Sequence, residues 1–329
     1  MSTDDRVEWL SKHDIPVIVN GLVEKLLAAR PNDPKEFMAK LLTETTHHHD
    51  AMASGQFART TGANGGTLLL VIDPQNDFHP GGSLAIEGAD EDAGRVADFI
   101  REHAKSIDEI VVTLDTHQRM HIAHGVFWVD PQGKHPDPFT IISAEDIEKG
   151  KWKTTIPEYQ GIAANYAKQL EARGKYKICI WPEHCIVGTS GHNVRKPIID
   201  AISTWVDATL KEVRWVTKAE SIFTEMYSGL QAEVPTEDRR TQLNTNLVDF
   251  IKGFSRVLVC GEALSHCVNF TVRDLMRYYE EGHHKVTVLT DCSTSVAGFE
   301  NEGQQFLKDM EALGVRLMTS KEAGALLKQ

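Results

Sequence analysis

The sequence predicts an α/β fold: a three-layer α/β/α domain with a mainly parallel sheet over residues 67–329, with a linker at 45–66 and a small helical hairpin at 1–44. Three observations carry this division. From residue 67 onward, apolar runs of strand length alternate with amphipathic stretches of helix length, as strands joined by crossover helices do. Residues 45–66 (TTHHHDAMASGQFARTTGANGG) are small, polar and glycine-bearing, which suits a linker. Residues 8–44 read as two helices broken at Arg30-Pro31-Asn32-Asp33.

The expected strands are 67–73, 109–115, 176–181, 212–217, 256–261, 285–290 and 316–319, with helices near 90–106, 193–208, 241–252, 268–281 and 301–313. Residues 131–170 fit this alternation less well and read as an irregular, charged insertion rich in proline and lysine. In the hairpin, Val19, Leu22, Val23, Leu26 and Leu27 share one face. Asp33-Pro34-Lys35-Glu36 resembles a capping box with proline at the first helical position. Phe37, Met38, Leu41 and Leu42 then form the second apolar face.

The bulk composition bounds the function. Of 329 residues, 41% are hydrophobic and 25% charged, the make-up of a folded soluble protein with one large core. A formal charge of −12 argues against a nucleic-acid partner, since phosphates need a positive surface. The longest apolar runs, such as 68–72, are too short to cross a bilayer, so no membrane role is expected. Five cysteines, an odd number with no paired C-x-x-C spacing, and a start without a basic-then-apolar leader point to a reducing, cytoplasmic location.

Parallel sheets bind ligands beyond the carboxyl ends of their strands. There the sequence sets Asp73-Pro-Gln-Asn-Asp77-Phe78, Asp115-Thr-His117, Trp181-Pro-Glu-His184-Cys185, Lys218 and Gly261-Glu-Ala263-Leu-Ser-His266-Cys267. Cys267 falls near a helix N-terminus, where the macrodipole favours a thiolate, a competent nucleophile toward an amide carbonyl. Asp73 could take the thiol proton, Lys218 could stabilise the thiolate, and the amides of Ala263 and Cys267 could form an oxyanion hole. Taken singly, Cys267 also reads as a buried structural cysteine, Asp73 as a turn cap and Lys218 as a surface charge. Their shared rim is what sets the catalytic reading apart.

Asp115, His117 and His184 make an O/N/N set for one divalent metal ion, zinc first, with iron or manganese equally compatible with these donors. The D-x-H spacing puts two of them on one face of a strand end. His121 and His124 either add a ligand or line the cleft. His47, His48 and His49 lie in the linker without an acidic or thiol partner, and no fixed site is expected there.

Five segments, LLLVIDPQNDFHPGGSLAI (68–86), DTHQRMHIAH (115–124), WPEHCIVGT (181–189), Lys218 and GEALSHCV (261–268), together resemble the nicotinamidase branch of the isochorismatase-like cysteine hydrolases over roughly 67–320. The resemblance implies a triad of Asp73, Lys218 and Cys267, a metal on Asp115, His117 and His184, and a cis peptide before Ala263. It also implies a substrate ring packed between Phe78 and Trp181 with its nitrogen at the metal. The activity implied is hydrolysis of nicotinamide, or of another small amide or ureido compound, through a thioester. The sequence departs from the family at Glu262, where an apolar residue is usual, after Lys218, where a glycine is common, and in the longer 131–170 segment. Residues 15–42 resemble the dimerisation/docking domain of protein kinase A regulatory subunits. That likeness implies a homo-oligomer that docks an amphipathic anchoring helix, in a cilium or flagellum, and leaves open a scaffold in which catalysis is secondary.

Overall fold

A computed structural model describes residues 65–328. The helical hairpin expected at 1–44, the docking role expected of it and nearly all of the expected linker at 45–66 lie outside the described residues. Six strands form one sheet: β1 (Thr67–Ile72), β2 (Glu109–Asp115), β3 (Arg214–Lys218), β4 (Arg256–Gly261), β5 (Val286–Leu289) and β6 (Arg316–Met318). Their spatial order is β6-β5-β4-β1-β2-β3 and every pairing is parallel. This doubly wound order reverses between β1 and β4, and such a reversal opens a crevice at the strand ends.

The strand sequences follow their places in the sheet. β1 is central and buried at all six residues, hence its unbroken apolar run TLLLVI. β3 lies at an edge and alternates buried and exposed residues, so its pattern RWVTK is mixed. The crossover helices are α1 (Ala89–Glu102) between β1 and β2, α4 (Lys196–Thr209) between β2 and β3, α6 (Asn269–Tyr278) between β4 and β5, and α7 (Glu300–Ala312) between β5 and β6. α5 (Thr245–Lys252) precedes β4, and a capping box at Thr319 and Glu322 starts a C-terminal helix, α8 (Ser320–Leu327), that was not anticipated. Leu69, Val71, Ile110 and Val112 pack with Val96, Ile100, Ile198, Ile202 and Trp205 on one face. Alternation along β1 sends Leu68, Leu70 and Ile72 to the other. Among the described residues no helix is long and apolar enough to cross a membrane.

Two expectations are corrected. The run at 176–181 does not join the parallel sheet. Only Ile178–Cys179 is extended, and it pairs antiparallel with Ile141–Ile142. Nor is 131–170 irregular: it contains α2 (Ala144–Glu148), capped by Ser143, and α3 (Gln160–Ala172). Ala163, Tyr166, Ala167 and Leu170 of α3 join Ile122, Phe127, Trp128, Ile142 and Ile178 in a second apolar core beside the strand ends. These two changes belong together, because the short antiparallel pair anchors the segment that carries Trp181 and His184.

At the switch point β1 and β4 are in register at Ile72 and Gly261. Gly261 has φ 111°, and a Cβ there would meet the Ile72 carbonyl oxygen at 2.0 Å. Gly261→Ala therefore combines left-handed strain with a backbone clash and is expected to cost about 2 kcal/mol or more. Urea denaturation checks this, with Gly314→Ala, where a Cβ meets open space, as the comparison.

Candidate active site

Four strand ends build the site. β1 ends on Asp73, which turns into the left-handed region at φ 42°, a strained setting for a residue with a side chain. Thr113 of β2 holds it twice: its hydroxyl donates to Asp73 Oδ1 at 2.6 Å and accepts from the Asp73 amide at 3.1 Å. β2 ends on Asp115, whose backbone is clamped by the Gln75 side chain, which accepts from the amide at 2.7 Å and donates to the carbonyl at 2.8 Å. Asp115 is the register partner of Lys218 at the end of β3. β4 runs into Glu262 and Ala263, joined by a cis peptide as the resemblance implies, and then into a π-helical turn, Leu264–Val268, that presents Cys267. Cys267 thus lies within that turn, two residues before α6 begins at Asn269.

Lys218 is fully enclosed. Its Nζ lies 3.0 Å from Asp73 Oδ2 and 3.0 Å from Asp115 Oδ1, donates to the Met226 carbonyl at 2.9 Å, and stands 3.6 Å from Cys267 Sγ. Burial alone would strip its proton, but Asp115, Asp73 and Cys267 hold the ammonium well above its usual pKa. Asp115 faces the same burial, yet His117 and Lys218 keep it well below the usual carboxylate range. Asp73 goes the other way: burial raises its pKa, only partly offset by Lys218. Burial also pushes the Cys267 thiol well up against the pull of Lys218, and Asp73 accepts its hydrogen bond. Burial thus works against a thiolate at Cys267 and Lys218 works for it, with the Asp73 carboxyl beside the sulfur.

The second oxygen of Asp115 turns to the histidines. His117 Nε2 is 3.2 Å and His184 Nε2 3.4 Å from Asp115 Oδ2. His184 does not come from a sheet strand. Its loop is brought in by the His117 amide donating to the Cys185 carbonyl at 3.1 Å and by Asp77 Oδ2, which accepts from the Cys185 amide at 2.7 Å. His117, His124 and His184 offer ring nitrogens within 4.8 Å of one another, all from buried residues. The Nδ1 of His184 contacts the Pro182 carbonyl at 2.9 Å and that of His124 the Arg119 carbonyl at 3.2 Å, so each Nδ1 carries the hydrogen and each Nε2 is left with its lone pair. His121 is turned oppositely. Its Nδ1 accepts from the Ala123 amide at 3.1 Å, which leaves the hydrogen on Nε2, and with His117 and Glu225 it forms a second buried group of candidate donors. Burial lowers His124 to about 2, which keeps its ring neutral.

These donors fit a divalent cation. The Nε2 atoms of His117, His121 and His124 are buried with no hydrogen-bond partner among the described residues, a costly state for imidazoles unless they face a ligand. A carboxylate oxygen with two or three imidazole nitrogens is a donor set for zinc, iron or manganese.

Phe78 and Trp181 are both buried but do not touch as a pair. Phe78 meets the His184 ring edge-on at 5.5 Å. Trp181 donates from Nε1 to the Tyr227 hydroxyl at 3.2 Å and packs against His266 at 5.2 Å, which in turn lies 4.7 Å from Phe299. Sequence reasoning set Asp77 on this rim without a role and missed Thr113, Gln75, Tyr227 and Glu225, the last of which is 4.0 Å from His117 Nε2. Thr113 was legible: it lies two residues before Asp115 on one strand and so shares its face.

No protein-family model matches the chain. A nicotinamidase of Acinetobacter baylyi is 25% identical over 255 residues, covering 77% of this chain and 92% of the relative. A nicotinamidase of Saccharomyces cerevisiae is 25% identical over 232 residues, covering 70% and 88%. Among solved structures, a nicotinamidase/pyrazinamidase of Acinetobacter baumanii matches with a TM-score of 0.54 at 23% identity, covering 78% of this chain and 97% of that one. The fold is the isochorismatase-like α/β fold, and the similarity to nicotinamidases spans most of the chain.

Proposed function

We propose that this chain is a metal-assisted cysteine amidohydrolase whose substrate is nicotinamide or a closely related small ring amide. The single observation that carries the reading is the buried contact of Asp73, Lys218 and Cys267 beside a cluster of imidazoles. The similarity to nicotinamidases supports the substrate class.

In this mechanism Asp73 takes the Cys267 proton as the sulfur attacks the amide carbon. Lys218 keeps the nascent thiolate in place while holding Asp73 and Asp115 apart. The amides of Leu264, His266 and Val268 are committed to the carbonyls of Thr294 and Ala263, which leaves those of Ala263 and Cys267 among the donors for the oxyanion. Asp73 passes the proton to the leaving nitrogen, ammonia departs, and a thioester joins the acyl group to Sγ. Asp73 then deprotonates a water that attacks the thioester, and the proton returns to sulfur as the acid leaves. A divalent ion held by Asp115, His117 and His184, with His124 beside them, would supply a positive centre for the ring nitrogen and the hydrolytic water. Phe78 and Trp181 supply apolar walls for the ring.

Cys267→Ala is expected to abolish ammonia release from nicotinamide, read across a panel of small amides, while thermal unfolding stays near wild type. Hydrolysis at the wild-type rate in that variant would remove the nucleophile assignment. Elemental analysis tests the metal set: His117→Ala and His184→Ala should lose the ion, His124→Ala should hold it less tightly, and His121→Ala should keep it. An unchanged metal content in all four would refute the site.

A further inference from the structure

Glu262, the chain's departure from the family pattern, has no part in that mechanism, yet it lies between Gly261 at the end of β4 and Ala263, a proposed oxyanion donor. Its side chain turns away from the thiol, toward α1. Glu262 is 2% exposed and lies beside Asp92 of α1, itself 3% exposed. Thr294 bridges the pair, its amide donating to Glu262 Oε2 at 3.3 Å and its hydroxyl to Asp92 Oδ2 at 2.6 Å. The Thr294 carbonyl also accepts from the Leu264 amide at 2.9 Å, inside the turn that carries Cys267. One cation serves this cluster: Arg95 of α1, 2.5 Å from Asp92 Oδ1 and bonded through Nε to the Asp291 carbonyl. The other titratable groups facing it are Cys260 on β4, Asp291 and Cys292 after β5, and the buried His79, whose pKa burial lowers so that its ring brings no positive charge at neutral pH. Two carboxyl groups in contact, with one guanidinium already spent on Asp92, hold together only with a proton between them.

We infer that Glu262 is a positioning residue, a neutral carboxylic acid that ties the oxyanion turn to α1 through a proton shared with Asp92. The inference rests on the amidohydrolase reading, which gives the turn its task. Burial first, and Asp92 second, raise the Glu262 pKa well above the usual carboxyl range, in keeping with a protonated group. For an acid with a raised folded pKa the tie is complete at low pH and is lost as pH rises through the folded value. Once both carboxylates are ionised they repel, and the Ala263 amide loses its anchor.

The full-length protein tests this in two ways. Infrared difference spectroscopy at neutral pH should find the carbonyl band of a buried carboxylic acid that vanishes in Glu262→Gln, a readout independent of turnover. In nicotinamide hydrolysis Glu262→Gln, which keeps a donor for Asp92 and an acceptor for Thr294, should hold kcat within about twofold. Glu262→Asp, too short to reach, should lose about tenfold in kcat with KM little changed and thermal unfolding as the folding control. Wild-type kcat should fall reversibly at alkaline pH where Glu262→Gln stays level. A band that persists in Glu262→Gln, or an alkaline fall common to both proteins, would overturn the shared proton. A wild-type protein that hydrolyses no amide while the band behaves as expected would overturn the role in positioning and the amidohydrolase reading, but not the proton.

Discussion

A single buried ammonium organises this site. Lys218 is enclosed by protein and bonded at 3.0 Å to two carboxylates from different strands. An isolated charge in such a place would be expelled or neutralised. Two carboxylates so close would likewise force a proton onto one of them. Together the three leave one net negative charge, and the geometry directs it outward, since Asp115 gives one oxygen to Lys218 and the other to His117 and His184. Removing one partner of such a group costs on the order of 3–5 kcal/mol, so the contact beside the thiol also holds β1, β2 and β3 together at their ends.

The division of labour between the two aspartates follows from their surroundings. Asp115 lies between Lys218 and His117, which hold its carboxyl well below the usual range, whereas Asp73 has its pKa raised by burial and lies beside a thiol that burial also raises. A carboxylate held ionised is suited to hold a cation, and a carboxyl beside a buried thiol is placed to exchange a proton with it. Asp73 and Asp115 stand at the ends of adjacent parallel strands, so the thiol and the histidine cluster lie on one rim.

Much of this was legible because the site lies at strand ends, where a short apolar run followed by an acid, a thiol or a lysine is easily read. Asp73, Asp115, Lys218 and Cys267 come from β1, β2, β3 and β4, and parallel order alone sends those ends to one rim. His184 was placed on the same rim by the wrong route, since the strand expected before it is two residues long and belongs to another pair. α3 escaped notice because its buried face is built from Ala163, Tyr166, Ala167 and Leu170, whose small and amphipathic side chains hardly raise local hydrophobicity although their spacing is helical. The tautomers that separate His124 from His121 depend on carbonyl and amide contacts that no sequence pattern displays. Glu262 stood out as an anomaly in sequence, but its partner Asp92 is 170 residues away and becomes visible only in the fold.

The central claim is that an acyl group passes through Cys267. It is tested most directly by mixing the protein with nicotinamide, quenching in acid within one turnover, and mapping the peptides by mass spectrometry. The account predicts an acyl adduct on the peptide that carries Cys267 and on none that carries Cys179, Cys185, Cys260 or Cys292. Ammonia released with no adduct on any cysteine, or with the adduct on one of the other four, would contradict it.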